Sequence, residues 1–281
     1  MLKIDLHMHT NSSDGKLSPE ELIDLAIQKN IPAIAITDHD NVGSIAEALE
    51  YSKDKPIEII SGIEFTVAPQ DLAKEIHIVG LFINYKNEKI SGLSQKHNEY
   101  RKIRVKKIIK KLNDLGYKIS FEELEAEDHY GRPEIAKILL KRYNEFKDTK
   151  QIFNELLGGG GKAFVKAETT PMNEIISTIH SAGGLAILAH PGYLKENTEK
   201  VIQMFIDLNG EGIEVDCRYE SLKNPQELRD KFRKIAIENN LLISGGTDFH
   251  STEISGPLGD YGVTKEEFEN IKKAVKTSKD Y

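Results

Sequence analysis

Two imidazoles and a carboxylate fall within the first fifteen residues, in the run Ile4-Asp5-Leu6-His7-Met8-His9-Thr10-Asn11-Ser12-Ser13-Asp14-Gly15. These residue types suit a divalent cation. Alternation of Leu2, Ile4 and Leu6 predicts a short strand. Side chains two apart on a strand point the same way, so His7 and His9 share a face. Residues 11–14 read as a turn closed by Gly15. One His-x-His pair is a weak signal, because surface and core histidines use the same spacing. Further along, however, the same residue types recur in Asp38-His39, Gly62-Ile63-Glu64, His77, Ala189-His190-Pro191 and Asp248-Phe249-His250. The set His7, His9, Asp14, His39, Glu64, His77, His190, Asp248 and His250 holds six of the nine histidines. Imidazole and carboxylate without thiolate suit Mn first, then Fe, Zn or Mg. Nine ligands exceed one ion, so two or three divalent metal ions are expected.

The elements that must position these residues read as alternating strands and helices. Ser18-Pro19-Glu20-Glu21 forms a capping box that opens a helix. Residues 33–37 are a continuous apolar strand, as expected of one buried on both faces, and run into Asp38 and His39. A helix over 44–53 and strands over 57–60 and 75–81 follow. From about 86 to 166 the pattern is helical, with a long basic amphipathic stretch at 98–115, shorter helices at 121–126, 133–143 and 149–157, and a mobile loop at the four glycines 158–161. After the cap pair Thr170-Pro171 come a helix to 181 and a strand at 185–189, then a helix at 198–208 and a strand at 212–215. A helix at 225–239 and a strand at 241–244 precede a capping box at 264–267 that opens the last helix. Every apolar strand except that at Ile213 has a candidate ligand at or near its exit. The rhythm predicts a mainly parallel α/β sheet or barrel, in which chemistry collects at the carboxyl ends of the strands.

With 281 residues, 30% of them charged and 39% hydrophobic, the chain can bury a large core. No apolar run has the length of a membrane helix. The N-terminus enters a polar, His-rich strand at once, so no signal peptide is expected. Cys217 stands alone, which excludes an internal disulfide and fits a cytoplasmic location. It reads as a small packed residue. The net charge of −7 argues against a stable complex with long nucleic acid held by bulk electrostatics, but permits an anionic substrate at a locally positive site.

His7-x-His9 with Asp14, Thr37-Asp38-His39, Gly62-Ile63-Glu64, His77, Ala189-His190-Pro191 and Asp248-x-His250 resemble, in order and from the first strand to the last, the motif series of the polymerase and histidinol phosphatase (PHP) superfamily. The resemblance implies a distorted (β/α)7 TIM-like barrel with a trinuclear site, formed here by residues 1–85 and 167–281, with 86–166 as an inserted helical domain. It also implies three ligand sets: His7, His9, Glu64 and Asp248; Glu64, His77 and His190, with Glu64 bridging; and Asp14, His39 and His250. The insertion and Gly131-Arg132-Pro133-Glu134-Ile135-Ala136 resemble the stand-alone branch. That branch removes phosphate from nucleoside 5′-monophosphates or 3′,5′-bisphosphates and trims short RNA from the 5′ end. Glu134 is a departure from the histidine of many relatives.

On this reading a metal-bridging hydroxide attacks a phosphate ester, since divalent ions bring the pKa of bound water from about 15.7 toward 7. His39 and Asp14 are candidate proton carriers. Arg132 is the candidate phosphate clamp, because a guanidinium grips phosphate bidentately and a helix start favours anions. Arg218, Lys162 and His129 are further candidate substrate contacts, and the basic face at 101–111 is either a guide for RNA or a solvated helix face. Asp38 either orients His39 or caps the following turn. The partner is a small phosphorylated substrate, a nucleotide or short RNA, and no membrane is expected. Histidinol-phosphate phosphatase is the alternative. An amidohydrolase-type C–N hydrolase is a further one, disfavoured because no metal-bridging lysine is evident on a middle strand.

Overall fold

The structure, a computed structural model, describes residues 3–67, 75–125, 131–168 and 170–278. The chain divides into two compact units, residues 1–94 with 170–281 and residues 95–169.

The first unit is α/β. Helix α1 (Pro19–Gln28) carries the expected capping box: Ser18 Oγ accepts from the Glu21 amide and the Glu21 carboxylate accepts from the Ser18 amide. Strand β1 (Ala33–Ile36), helix α2 (Ile45–Tyr51) and strands β2 (Glu58–Val67) and β3 (Ile76–Leu81) follow. Helix α3 (Glu88–Asp114) leads into the second unit, which also holds α4 (Glu122–Glu125), α5 (Arg132–Arg142) and α6 (Thr149–Ile152), the last continuing as a wider turn over Phe153–Leu157. Back in the first unit come α7 (Met172–Ser181), β4 (Leu185–Leu188), α8 (Thr198–Asp207), β5 (Gly212–Cys217), α9 (Pro225–Glu238), β6 (Leu242–Gly246), the single turn α10 (Thr252–Ser255) and α11 (Lys265–Ser278). The Thr264–Glu267 capping box opens α11 as expected. The helix expected from Thr170-Pro171 starts one residue later than the pair predicts: Pro171 is the N-cap, the helix begins at Met172, and Thr170 instead forms a bridge with Val67.

Among the described residues the strands form a six-stranded curled sheet in sequence order. The pairs β1–β2, β4–β5 and β5–β6 are parallel, but β3 runs antiparallel to both neighbours. Its reversal follows from chain length. Only eight residues separate Val67 from Ile76, whereas a parallel crossover needs a dozen or more. His77 is therefore at the entrance of its strand, not the exit, and the reversal returns it to the end where the other strands finish.

The expected first strand is reduced to isolated bridges, Asp5 with Ile34, Met8 with Phe249 and Ile4 with Val263. Even so, the segment is hydrogen-bonded on both sides. The Asp5 amide donates to Ala33 and the Thr37 amide to Met8, while the Leu6 and His9 amides donate to Gly245 and Phe249. It thus links β1 to the end of β6. Both faces of β1 are buried: Ala33 and Ala35 pack with Ile60, Val79, Leu81, Leu185, Ile187 and Phe268, and Ile34 and Ile36 pack with Leu22, Ile23 and Phe249. Burial on both sides explains the unbroken apolar runs.

The second unit has its own apolar core of Val105, Ile108, Leu112, Ile135, Leu139, Ile152, Leu156 and others. The glycine run at 158–161 is a built turn, contrary to the mobile loop expected. Gly158, Lys162 and Ala163 donate to the carbonyls of Phe153, Glu155 and Leu156. A Cβ at Gly161 would stand 2.6 Å from the Leu156 carbonyl, so the return is too tight for a side chain.

Candidate metal centre

All nine expected ligands lie in the first unit, and the fold gathers them into one cluster. His7 and His9 come from the N-terminal segment, Asp14 from the loop after it and His39 from just past β1. Glu64 lies within β2 and His77 at the start of β3; His190 follows β4, and Asp248 and His250 follow β6. His190 and Asp248 take left-handed backbone conformations, with φ of 29° and 51°. Such conformations are uncommon away from glycine and concentrate at functional sites. Each is secured: the His190 amide donates to Glu214 Oε2 at 2.7 Å, and the Asp248 carbonyl accepts from Ser255 Oγ at 2.8 Å.

Glu64, fully buried, is the hub. Its two oxygens divide the imidazoles between them. Oε2 lies 3.4 Å from His7 Nε2, 3.4 Å from His9 Nε2 and 2.9 Å from His39 Nδ1. Oε1 lies 2.9 Å from His77 Nδ1 and 3.1 Å from His190 Nε2. A carboxylate with ligand nitrogens gathered at each oxygen is the arrangement a bridging ligand requires. Three groups bring their ligand atoms within 4.8 Å of one another: His7, His9, Glu64 and Asp248; His9, Asp14, His39 and His250; and His39, Glu64 and His77. The first reproduces the expected set. The second adds His9 to an expected one. In the third His39 stands where His190 was expected, although His190 touches the same Glu64 oxygen as His77.

Polar atoms at the centre are buried without hydrogen bonds, among them His7 Nε2, His9 Nδ1, Glu64 Oε2 and His77 Nδ1. Buried polar atoms are normally paired, so a cluster of unpaired lone pairs aimed inward fits a cation. Electrostatics point the same way. Burial alone would raise the Glu64 carboxyl, but the facing imidazoles of His39, His7 and His77 outweigh it and hold it well below the usual range. Burial opposes charge on His7 too, yet the carboxylates of Glu214, Glu64 and Asp248 lift it well above an ordinary histidine. Burial lowers His9, as do the neighbouring His250 and His39. His250 is pushed up to about 9 by Asp14 and Asp248 against the effect of burial.

Three buried carboxylates outside the ligand set support it. Asp5 accepts from the Thr247 amide and hydroxyl at 3.0 and 2.6 Å, tying the N-terminal segment to β6. Burial pushes it up to about 7. Asp38 is buried as well. It accepts from the Thr10 amide, the Thr10 and Ser13 hydroxyls and the Ser44 hydroxyl, all at 2.5–2.7 Å. It therefore holds the loop that presents Asp14 and the residue opening α2. Glu214, on the one strand without a candidate ligand at its exit, accepts from His7 Nδ1 at 2.8 Å. The signal was present in the sequence: a glutamate inside an apolar strand needs a buried partner.

The expected substrate contacts are divided between the two units. Arg218 directly follows β5, half-buried, and donates one guanidinium N–H to the Ile254 carbonyl. Arg132 opens α5 in the second unit, its guanidinium 5.9 Å from the Phe153 ring. Glu134 is paired with Lys137. Lys162 is exposed in the glycine turn, and His129 lies outside the described residues. Cys217 is buried beside Glu214 and Tyr219, and burial pushes its thiol well up, as expected of a small packed residue.

The chain belongs to the PHP domain family, whose model matches residues 5–244. It is 34% identical over 254 residues to a 5′-3′ exoribonuclease of Haemophilus influenzae, covering 88% of this chain and 90% of that one. It is 28% identical to a 3′,5′-nucleoside bisphosphate phosphatase of Chromobacterium violaceum over 95% of this chain and 93% of that one. A crystal structure from Bifidobacterium adolescentis, described as that of a metal-dependent phosphoesterase, superposes with a TM-score of 0.83 at 26% identity, covering 95% of this chain and 94% of that one.

Proposed function

We propose that the protein is a metal-dependent phosphoesterase that removes phosphate from nucleotides, either nucleoside 5′-monophosphates or 3′,5′-bisphosphates, and trims short RNA from its 5′ end. The observation that carries this is the division of imidazoles between the two oxygens of buried Glu64. The likeness to a nucleoside bisphosphate phosphatase and an exoribonuclease supports the choice of substrate.

His7, His9, Glu64 and Asp248 would hold one divalent ion, Asp14, His39 and His250 with His9 another, and Glu64 and His77 with His39 or His190 a third. Two or three ions fit, with manganese the first choice and iron, zinc or magnesium the others. When bound, such ions supply Lewis acidity toward a phosphoryl oxygen and a source of hydroxide at neutral pH. The protein residues bind and orient. Arg218 uses one of its five N–H groups on Ile254, leaving a fork suited to phosphate. Asp14 and His39, with side chains 30% and 16% exposed, are proposed to hold the proton for the departing oxygen. Arg132, Lys162 and His129 are proposed substrate contacts on the strength of their sequence positions.

The same reading extends to the fold and its setting. We count the N-terminal segment as a seventh strand of a distorted (β/α)7 barrel, since it is hydrogen-bonded to both β1 and the end of β6, and take 86–166 as an inserted helical domain. Among the described residues no helix is long and apolar enough to cross a membrane. A single buried cysteine suits a cytoplasmic setting.

The test is phosphate release by manganese-loaded protein from a panel of nucleoside monophosphates, bisphosphates, short 5′-phosphorylated RNA, histidinol phosphate and an amide substrate. Release from nucleotides that stops in His190→Ala is expected. Silence on every nucleotide and RNA, or turnover of histidinol phosphate or the amide alone, would overturn the assignment.

A further inference from the structure

The net charge of −7 conceals a division. Residues 95–169 carry 17 Lys and Arg against 12 Asp and Glu, a balance of +5, while the rest of the chain carries 21 against 33, a balance of −12. A basic unit within an acidic protein marks an anion-binding surface. Much of the excess lies on α3. Between positions 96 and 111 there are eight basic residues and a single acid, Glu99.

Helical periodicity sorts them. Val105, Ile108, Ile109 and Leu112 are buried in the core of that unit. Lys106, Lys107, Lys110 and Lys111 fall on the opposite, exposed side. Lys106 stacks with Lys110 and Lys107 with Lys111 at i,i+4, a like-charge spacing that weakens a helix. The contacts around this face cancel only part of its charge. Lys107 pairs with Glu168 at 3.0 Å and Lys110 with Asp114 at 2.8 Å, both on exposed side chains. Lys111 donates to the Phe164 carbonyl at 2.7 Å, and the neighbouring Arg104 to the Val165 carbonyl at 3.0 Å. The Phe164 carbonyl is a neutral acceptor and orients Lys111 without neutralising it. Lys106 lies 4.6 Å over the ring of Phe121, with Glu122 in its field.

We propose that the exposed lysine face of α3 is a docking surface for the phosphate backbone of single-stranded RNA. The four lysines extend over about 7.5 Å of helix axis, and a mononucleotide has too few phosphates to engage them. Lysines meet phosphates as point charges and read no bases, which suits an enzyme working along a strand of any sequence. A chain held at several phosphates also raises the local concentration of its own 5′ end. The choice of RNA over another polyanion rests on the function proposed above. The charge division does not.

The test is a variant in which Lys106, Lys107, Lys110 and Lys111 are all changed to Gln, a residue of similar helix propensity. A milder variant, Lys106→Gln with Lys111→Gln, serves if the first does not fold. In one arm, full-length protein stripped of metal binds a labelled RNA of about 12 nucleotides, a length within reach of one such surface, followed by fluorescence anisotropy across a salt series. Affinity should fall about tenfold or more, and the salt slope should flatten by about 0.7 per lysine removed. In the other arm, kcat/KM is measured with manganese on the 5′-phosphorylated RNA and on a nucleoside 3′,5′-bisphosphate. The RNA value should fall through KM while the bisphosphate value stays within about twofold, since no contact to a chain is lost. Unchanged RNA affinity, absence of RNA binding by the unaltered protein, or equal loss on both substrates overturns the proposal. If the unaltered protein hydrolyses neither substrate, the proposed function fails, and the binding arm still decides the docking surface.

Discussion

Nδ1 of His7 donates to Glu214 Oε1 at 2.8 Å, and the other oxygen of the same carboxylate accepts from the backbone amide of His190 at 2.7 Å. One buried side chain on β5 thus orients an imidazole from the N-terminal segment and the backbone of a residue after β4. The proton on His7 Nδ1 leaves Nε2 to face Glu64 and Asp248. Partners of this kind fix tautomer and ring orientation, and their loss typically costs about 10–100-fold in metal affinity. Glu214→Gln should therefore keep its fold by circular dichroism but bind manganese about 10–100-fold more weakly in a competition titration against a chelator. Unaltered affinity would reduce Glu214 to packing.

Asp38 gathers one amide and three hydroxyls around its carboxylate. Removing the acceptor strands buried donors, each costing about 1–3 kcal/mol where it finds no new partner. Asp38→Ala should lose about 3 kcal/mol of stability in urea denaturation. A loss below about 1 kcal/mol would mean that water or a rearranged loop replaces the carboxylate.

Gly246 ends β6 against the N-terminal segment. A Cβ there would stand 2.5 Å from the His7 amide nitrogen and 2.6 Å from His7 Cβ. Gly246→Ala must push the two segments apart, at a cost of about 1–3 kcal/mol for overpacking. Because His7 moves with them, bound metal measured by elemental analysis should drop as well. Normal stability together with full metal content would show that the backbone yields freely.

His180 on α7 places Nε2 2.7 Å from Glu211 Oε1. The carboxylate raises the imidazole above its usual value, against partial burial. A raised histidine contributes stability that is fully present below its unfolded pKa of about 6.5 and is lost as pH climbs through the folded value. Both side chains are about one-third exposed, so the contribution is at most about 1 kcal/mol. The unfolding free energies of the unaltered protein and His180→Gln should differ most below the unfolded pKa of about 6.5 and converge as pH rises through the raised folded value. A gap that widens with pH would contradict the ion pair.

The candidate ligands were legible because metal chemistry is written in residue type. Imidazoles and carboxylates placed beside otherwise apolar strands have few other reasons to be there, and a sheet finishing its strands at one end collects them. Helix starts at Ser18 and Thr264 were equally plain, because capping boxes are contacts over three residues. By contrast, the direction of β3 depends on which strands pair. The eight-residue connection hinted at it, and only the sheet placed His77 opposite Thr66, near Glu64. Asp38 was legible as a support but its partners were not, and Glu214 was not read as a support at all, since the groups they hold lie elsewhere in the chain. The division of Glu64 between two sets of imidazoles was implied by the family resemblance alone; nothing in the spacing of the residues gives it. Local chemistry determines which atoms can bind a cation. Which of those atoms meet is decided by packing between distant segments, and that exists only once the chain has folded.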